Sequence, residues 1–126
     1  GFEGQDALHS ALNSSNLSYE CKTSVTNMFA EYMKCDVAIG TGGLTSSELV
    51  ATHTPSLLIA AVEHQKARCR FFDKHGMAVY LGGAQEFGAK NLRENLLKLE
   101  NLDGDSFSIN FCGAEAIEAY FTSRTQ

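Results

Sequence analysis

The chain has 126 residues and a formal charge of −5, with 44% hydrophobic and 20% charged residues. These figures fit one globular domain with a core of ordinary size and exclude wholesale disorder. The mild acidity and scattered Lys and Arg exclude the basic face of a nucleic-acid binder, and no apolar run approaches the ~20 residues that span a membrane.

Gly1-Phe2-Glu3-Gly4 has neither the basic start nor the apolar stretch of a signal peptide. From Glu3 to Asn13, the spacing of Ala7, Leu8, Ala11 and Leu12 predicts a helix. Asn13-Ser14-Ser15-Asn16 reads as a loop, because these side chains compete with the backbone for hydrogen bonds. Leu17 to Cys21 alternates apolar and polar residues, which predicts a half-buried strand. Thr26 is the expected N-cap of a helix through Lys34, with Met28, Phe29, Tyr32 and Met33 as its apolar face.

Cys35 to Ile39 is a short strand-like run ending at Gly40, and the glycines at 40, 42 and 43 break it. A helix starts at Leu44 or Thr45 and runs to about Thr52, with Pro55 beyond it as a stop. Ser56 to Ala61 is apolar nearly throughout, the pattern of a central strand in a parallel sheet. Gln65 to His75 reads as a helix closed by Gly76 in the left-handed conformation. Met77 to Leu81 is the next strand, followed by Gly82-Gly83. Glu86 to Asn101 is an amphipathic helix with Leu92, Leu96, Leu97 and Leu99 inward. Phe107 to Phe111 reads as a short strand and Gly113 to Arg124 as a last helix. The alternation of strand and helix predicts an α/β fold, a Rossmann-like three-layer sandwich with a mostly parallel sheet.

Cys21, Cys35, Cys69 and Cys112 lie far apart with no C-x-x-C pair, so no metal site is expected. Lone cysteines of this kind suit reduced thiols in a cytoplasmic protein. His9, His53 and His75 read as structural, and no Ser-His-Asp arrangement with a nucleophile elbow is visible.

Ligands of open parallel sheets bind at the carboxyl ends of strands, and two such ends carry suitable chemistry. The first runs Gly40-Thr41-Gly42-Gly43-Leu44-Thr45-Ser46-Ser47-Glu48. A glycine turn feeding a helix N-terminus admits a phosphate to the backbone, with Thr45 and Ser46 as hydroxyl donors and Glu48 placed to accept from a ribose diol. The same residues also fit a tight strand-to-helix turn capped by Thr45, with Glu48 solvated. The turn lacks the Lys of a phosphate-binding P-loop and the third glycine of G-x-G-x-x-G. The second end is Val62-Glu63-His64-Gln65-Lys66, a polar run that either reaches the ligand cleft or simply opens a helix.

Taken together, these segments resemble the C-terminal half of B-type glycosyltransferase-fold proteins. They are most similar to the UDP-sugar hydrolases of pseudaminic acid and spore-coat polysaccharide biosynthesis, and more distantly to the lipid II N-acetylglucosaminyltransferase. The resemblance rests on Gly42-Gly43-Leu44-Thr45-Ser46-Ser47-Glu48, followed by Thr54-Pro55-Ser56, Glu63-His64-Gln65 and Gly76-Met77-Ala78-Val79-Tyr80-Leu81-Gly82, with Asn110 to Ala116 as a weaker match to the family's final helix start. It implies that Gly42, Gly43 and Thr45 line the diphosphate of a UDP-sugar, that Glu48 binds the ribose, and that Glu63, His64 and Gln65 lie near phosphate or sugar. His64 stands where the family has Asn, and Ala116 where it commonly has Arg.

The resemblance further implies a bacterial surface-glycan enzyme, a hydrolase or glycosyltransferase of nonulosonate biosynthesis, with no cofactor and with catalytic residues left unassigned. On this view residues 1–126 are a single nucleotide-sugar-binding domain, a fragment whose missing N-terminal domain supplies acceptor recognition, and the chain alone is inactive. An exposed sheet edge is then expected, available for a homo-oligomer. The alternative function is a non-catalytic nucleotide-sugar-binding or assembly module. A receiver-like signalling domain is a further rival, disfavoured because Asp36 opens its strand instead of closing it.

Overall fold

The computed structural model describes residues 4–86, 88–100 and 102. Along the chain these form α1 (Gln5–Ser14), α2 (Met28–Met33), β1 (Ala38–Thr41), α3 (Leu44–Ala51), β2 (Ser56–Ala60), a 3-10 turn (Glu63–Gln65), α4 (Lys66–Lys74), β3 (Val79–Gly83) and α5 (Ala89–Leu99). The strands make one all-parallel sheet in the order β1-β2-β3. The fold is therefore α/β, as the alternation predicts.

The centre is β2. Leu57 and Leu58 have no exposed surface, and Ala60 is buried. Successive residues of a strand face opposite sides of the sheet, so β2 feeds two cores. Leu58 and Ala60 pack with Tyr32 of α2, Leu49 and Val50 of α3, and Cys69 and Phe72 of α4. Leu57 joins Val79, Leu81 and Leu99 on the other face, beneath α5. Helices α3 and α4 thus share one face and α5 covers the other. Each fully buried Leu contributes about 1.5–3 kcal/mol, an upper figure because unfolded chains are already partly compact.

Helices α3 and α4 end in the same way, just ahead of the strands that follow them. After α4, the N–H of Gly76 donates to the Asp73 carbonyl and that of Met77 to the Phe72 carbonyl, with Gly76 at φ 70°. This is the six-to-one, five-to-two pattern that satisfies the last carbonyls of a helix. Met77 packs against the core that contains Phe72, which completes the motif. After α3 the pattern repeats, with His53 donating to Val50 and Thr54 to Leu49. Here the left-handed position is held by His53 at φ 53°, not by glycine. Helix α3 is thus closed by this turn, four residues ahead of Pro55.

Several sequence expectations need correction. Leu17–Cys21 forms no strand. Its alternating Leu17 and Tyr19 remain exposed, and Lys22 ties the segment to α2 through Glu31 at 3.0 Å. The cap of α2 is Asn27, whose side chain accepts from the Ala30 N–H, not Thr26. Only Tyr32 of the predicted α2 face is buried; Met28, Phe29 and Met33 are exposed. Strands β1 and β3 are both shifted along the chain: they start at Ala38 and Val79, not Cys35 and Met77, and include Gly40, Gly82 and Gly83, because backbone pairing with β2 continues through these glycines. In α5, Leu99 is buried and Leu92 packs on the core, but Leu96 and Leu97 are exposed. The predicted strand at 107–111 and helix at 113–124 lie outside the described residues.

His53 in the left-handed region carries a test. A β-branched side chain is disfavoured there, so His53→Val is expected to destabilise the fold by about 1–2 kcal/mol. Urea denaturation of the variant checks the figure.

Candidate functional site

The carboxyl ends of the three strands bring the candidate residues to one edge of the sheet. β1 leads through Gly42 and Gly43 directly into α3. The Gly42 N–H extends the ladder by donating to the Ile59 carbonyl at 2.9 Å. Gly43 occupies the N-cap of α3, and both the N–H and the hydroxyl of Ser46 donate to its carbonyl, at 3.1 and 2.6 Å. Ser46 is fully buried in this arrangement. Thr45 does not cap α3; its methyl packs against Gly40.

A close approach accounts for glycine at position 42. A Cβ there would run into the Cys69 Sγ of α4 and would lie 3.0 Å from the Cβ of Gln65. Gln65 also underlies the neighbouring residue, its Nε2 sitting 3.2 Å from the Cβ position of Gly43. Its Oε1 accepts from the Ala61 N–H at 2.9 Å and braces the 61–65 turn. Gly42, Gly43 and Gln65 are therefore one packed unit, joining the first and second candidate segments.

Glu48 points to α2. Its carboxylate accepts from the Tyr32 hydroxyl at 2.9 Å in a partly buried setting. Burial pushes the Tyr32 phenol above its ordinary value, and the Glu48 carboxylate pushes it further, because ionisation would set two negative charges together. Burial likewise pushes the Cys69 thiol up and keeps it protonated.

Glu63 and His64 are exposed. Glu63 pairs with Lys66 at 2.9 Å, and Lys66 also faces Glu86 at 3.7 Å. An open cleft of about 230 Å³ lies here between the ends of β2 and β3, lined by residues 60–63, Lys66 and residues 83–86. Cys69 and Glu86 also belong to this edge, and Tyr32 reaches Glu48 from α2, though the sequence assigned none of these three a place at the site. Lys66 stood inside the singled-out polar run. Tyr32 showed only its apolar spacing, and nothing local marked Cys69 or Glu86. No group of three or more His, Cys, Asp or Glu that could hold a metal occurs among the described residues.

Comparison with models of known protein families, with curated proteins and with solved structures finds no match for this chain.

Two outcomes test this geometry. Gly42→Ala is expected to cost about 1–3 kcal/mol through overpacking, and to cost measurably less when combined with Cys69→Ala. A double-mutant cycle by denaturant titration reads that coupling. For Tyr32, the folded-state pKa lies above the unfolded value of 10.0. Its stabilising contribution is then complete below that pH and is lost as pH rises through the higher folded-state value. Stability at alkaline pH should therefore fall less steeply in Tyr32→Phe than in the natural sequence, as measured by urea titrations on either side of that pH.

Proposed function

We propose that this chain binds a UDP-sugar at the carboxyl edge of its sheet, as the nucleotide-sugar-binding half of a hydrolase or glycosyltransferase of bacterial surface-glycan biosynthesis. One observation carries the reading. A parallel strand passes through Gly42-Gly43 straight into a helix that starts at the sheet edge where ligands of such folds bind, and the second turn of that helix carries a carboxylate, Glu48. In this reading the amides at the start of α3 face the diphosphate, and Glu48 exchanges its Tyr32 hydroxyl for the ribose diol. His64, exposed in the 61–65 turn beside the glycines, is then available to phosphate or sugar.

The finer fold that goes with this reading is the Rossmann-like three-layer sandwich of the C-terminal half of the B-type glycosyltransferase fold. The placement of α5 supports it. Crossovers between parallel strands are right-handed, so helices on one face advance the sheet in one direction and a helix on the other face reverses it. In a doubly wound sheet of this handedness the reversal falls beside β1, an edge strand among the described residues, and so beside the Gly42-Gly43 turn. That is where doubly wound folds hold nucleotides. The parent protein is proposed to act in the cytoplasm, with a partner domain supplying acceptor recognition and the general base. No helix among the described residues is long and apolar enough to cross a membrane.

A non-catalytic nucleotide-sugar-binding or assembly module is the second reading. The mutual pairing of Glu63 with Lys66, and of Gln65 with the Ala61 amide, favours it, because these groups are engaged with one another and not poised on a substrate.

Titration with UDP followed by amide chemical shifts tests the site. Shifts centred on residues 42–48 are expected, and Glu48→Ala should lose most of the affinity while staying folded. No shift at millimolar UDP would remove the proposal. Tyr32→Phe frees the Glu48 carboxylate and should retain or tighten UDP binding.

A further inference from the structure

The cleft at the ends of β2 and β3 holds a feature that the nucleotide reading does not use. β3 ends on Gly82 and Gly83, with Gly82 at φ 111°. The carboxylate of Glu86 folds back over this turn. Its Oε2 accepts from the Gly83 N–H at 3.0 Å, and its Oε1 faces the Lys66 Nζ at 3.7 Å. The carboxylate lies so close to both glycines that a Cβ on either would sit 3.1–3.2 Å from its oxygens. The Gly83 amide, with Lys66 and Arg70 adding charge, holds the Glu86 carboxyl below the usual carboxylate range.

A backbone amide and an ammonium converging on one point make an anion cradle. Here the cradle is occupied by a side chain of the same molecule. The occupant is poorly anchored: Glu86 is largely exposed, and its Lys66 contact is longer than a charge-assisted hydrogen bond. We propose that the Gly83 N–H and Lys66 form a second anion subsite, for a phosphoryl group, in which Glu86 is an internal, displaceable stand-in. A phosphoryl group is larger than a carboxylate and carries more charge, so it can contact the Gly83 amide and close the gap to Lys66 together. The cleft is open to solvent and its volume of about 230 Å³ accommodates such a group. Glu63 also holds Lys66, at 2.9 Å, so an incoming phosphoryl group competes with two carboxylates and binds weakly while Glu86 is in place.

The subsite stands apart from the Gly42-Gly43 turn. The β1 and β3 ends are separated by β2, two strand spacings or about 10 Å. Its test uses inorganic phosphate and reads the Gly83 amide, so it succeeds or fails apart from UDP binding at residues 42–48.

Inorganic phosphate is titrated into the full 126-residue chain and into Glu86→Ala, with acetate as the carboxylate control, and amide shifts are followed. In Glu86→Ala the Gly83 amide should move with phosphate, with affinity about threefold higher than in the natural sequence, the size that removal of one exposed competing charge supports. Adding Lys66→Met should abolish the response, and acetate should bind more weakly than phosphate. If Glu86→Ala does not fold, Glu86→Gln takes its place with the same expected direction. The proposal is overturned by an unmoved Gly83 amide at millimolar phosphate, by unchanged affinity on loss of Lys66, or by acetate binding as tightly as phosphate. A UDP response at residues 42–48 bears on neither arm.

Discussion

The structure depends on β2 being hydrogen-bonded along both edges and buried on both faces. A strand in that position has no freedom of register, since a slip of one residue would exchange the side chains of its two cores. Leu57 and Leu58 point into opposite cores and are both fully enclosed. With β2 held, the ends of β1 and β3 are held with it, through the pairs Thr41 with Ile59 and Ala60 with Gly83. The carboxyl edge is thereby assembled from three chain segments whose positions follow from apolar packing. The polar chemistry at that edge is placed by the core beneath it, and Tyr32 and Cys69 belong to both.

The glycine turn shows how structural and functional demands overlap. Position 42 needs glycine because α4 packs against it, irrespective of any ligand. Such packing does not argue against a ligand. Cys69 and Gln65 approach Gly42 closely and pack the turn from the α4 side. A turn held this way presents its backbone in a fixed arrangement, which reduces the ordering cost of binding. Glu48 is in a similar position: Tyr32 satisfies its carboxylate now and positions it where a diol hydroxyl could take over.

Much of the fold was legible in the sequence because it depends on local composition. The apolar run of β2 reads as a central strand, and Gly76 marks the end of α4 at the residue where the backbone turns left-handed. The misread parts depend on partners. Leu17 to Cys21 alternates like a strand, but alternation says nothing about whether a neighbouring strand exists to pair with it. Gly82 and Gly83 look like strand breakers, yet the ladder bonds backbone to backbone and continues through them. For the site, the residue types at 42–48 and 63–65 and their place after two strands were legible. The engagement of Glu48 with Tyr32, and of Gly42 with Cys69, was not, because each joins residues from separate elements.

The contact between Cys69 and Gly42 also makes the thiol a gauge of motion at the candidate site. Its sulfur is fully enclosed and its proton held by burial, so a thiol-directed reagent reaches it only when α4 lifts from the turn. Cys21 and Cys35 lie exposed and need no such opening. Among the described thiols, the lag between Cys21 or Cys35 and the enclosed Cys69 measures how often the edge of the sheet comes apart. Any ligand that clamps the turn lengthens that lag, whether or not chemistry follows.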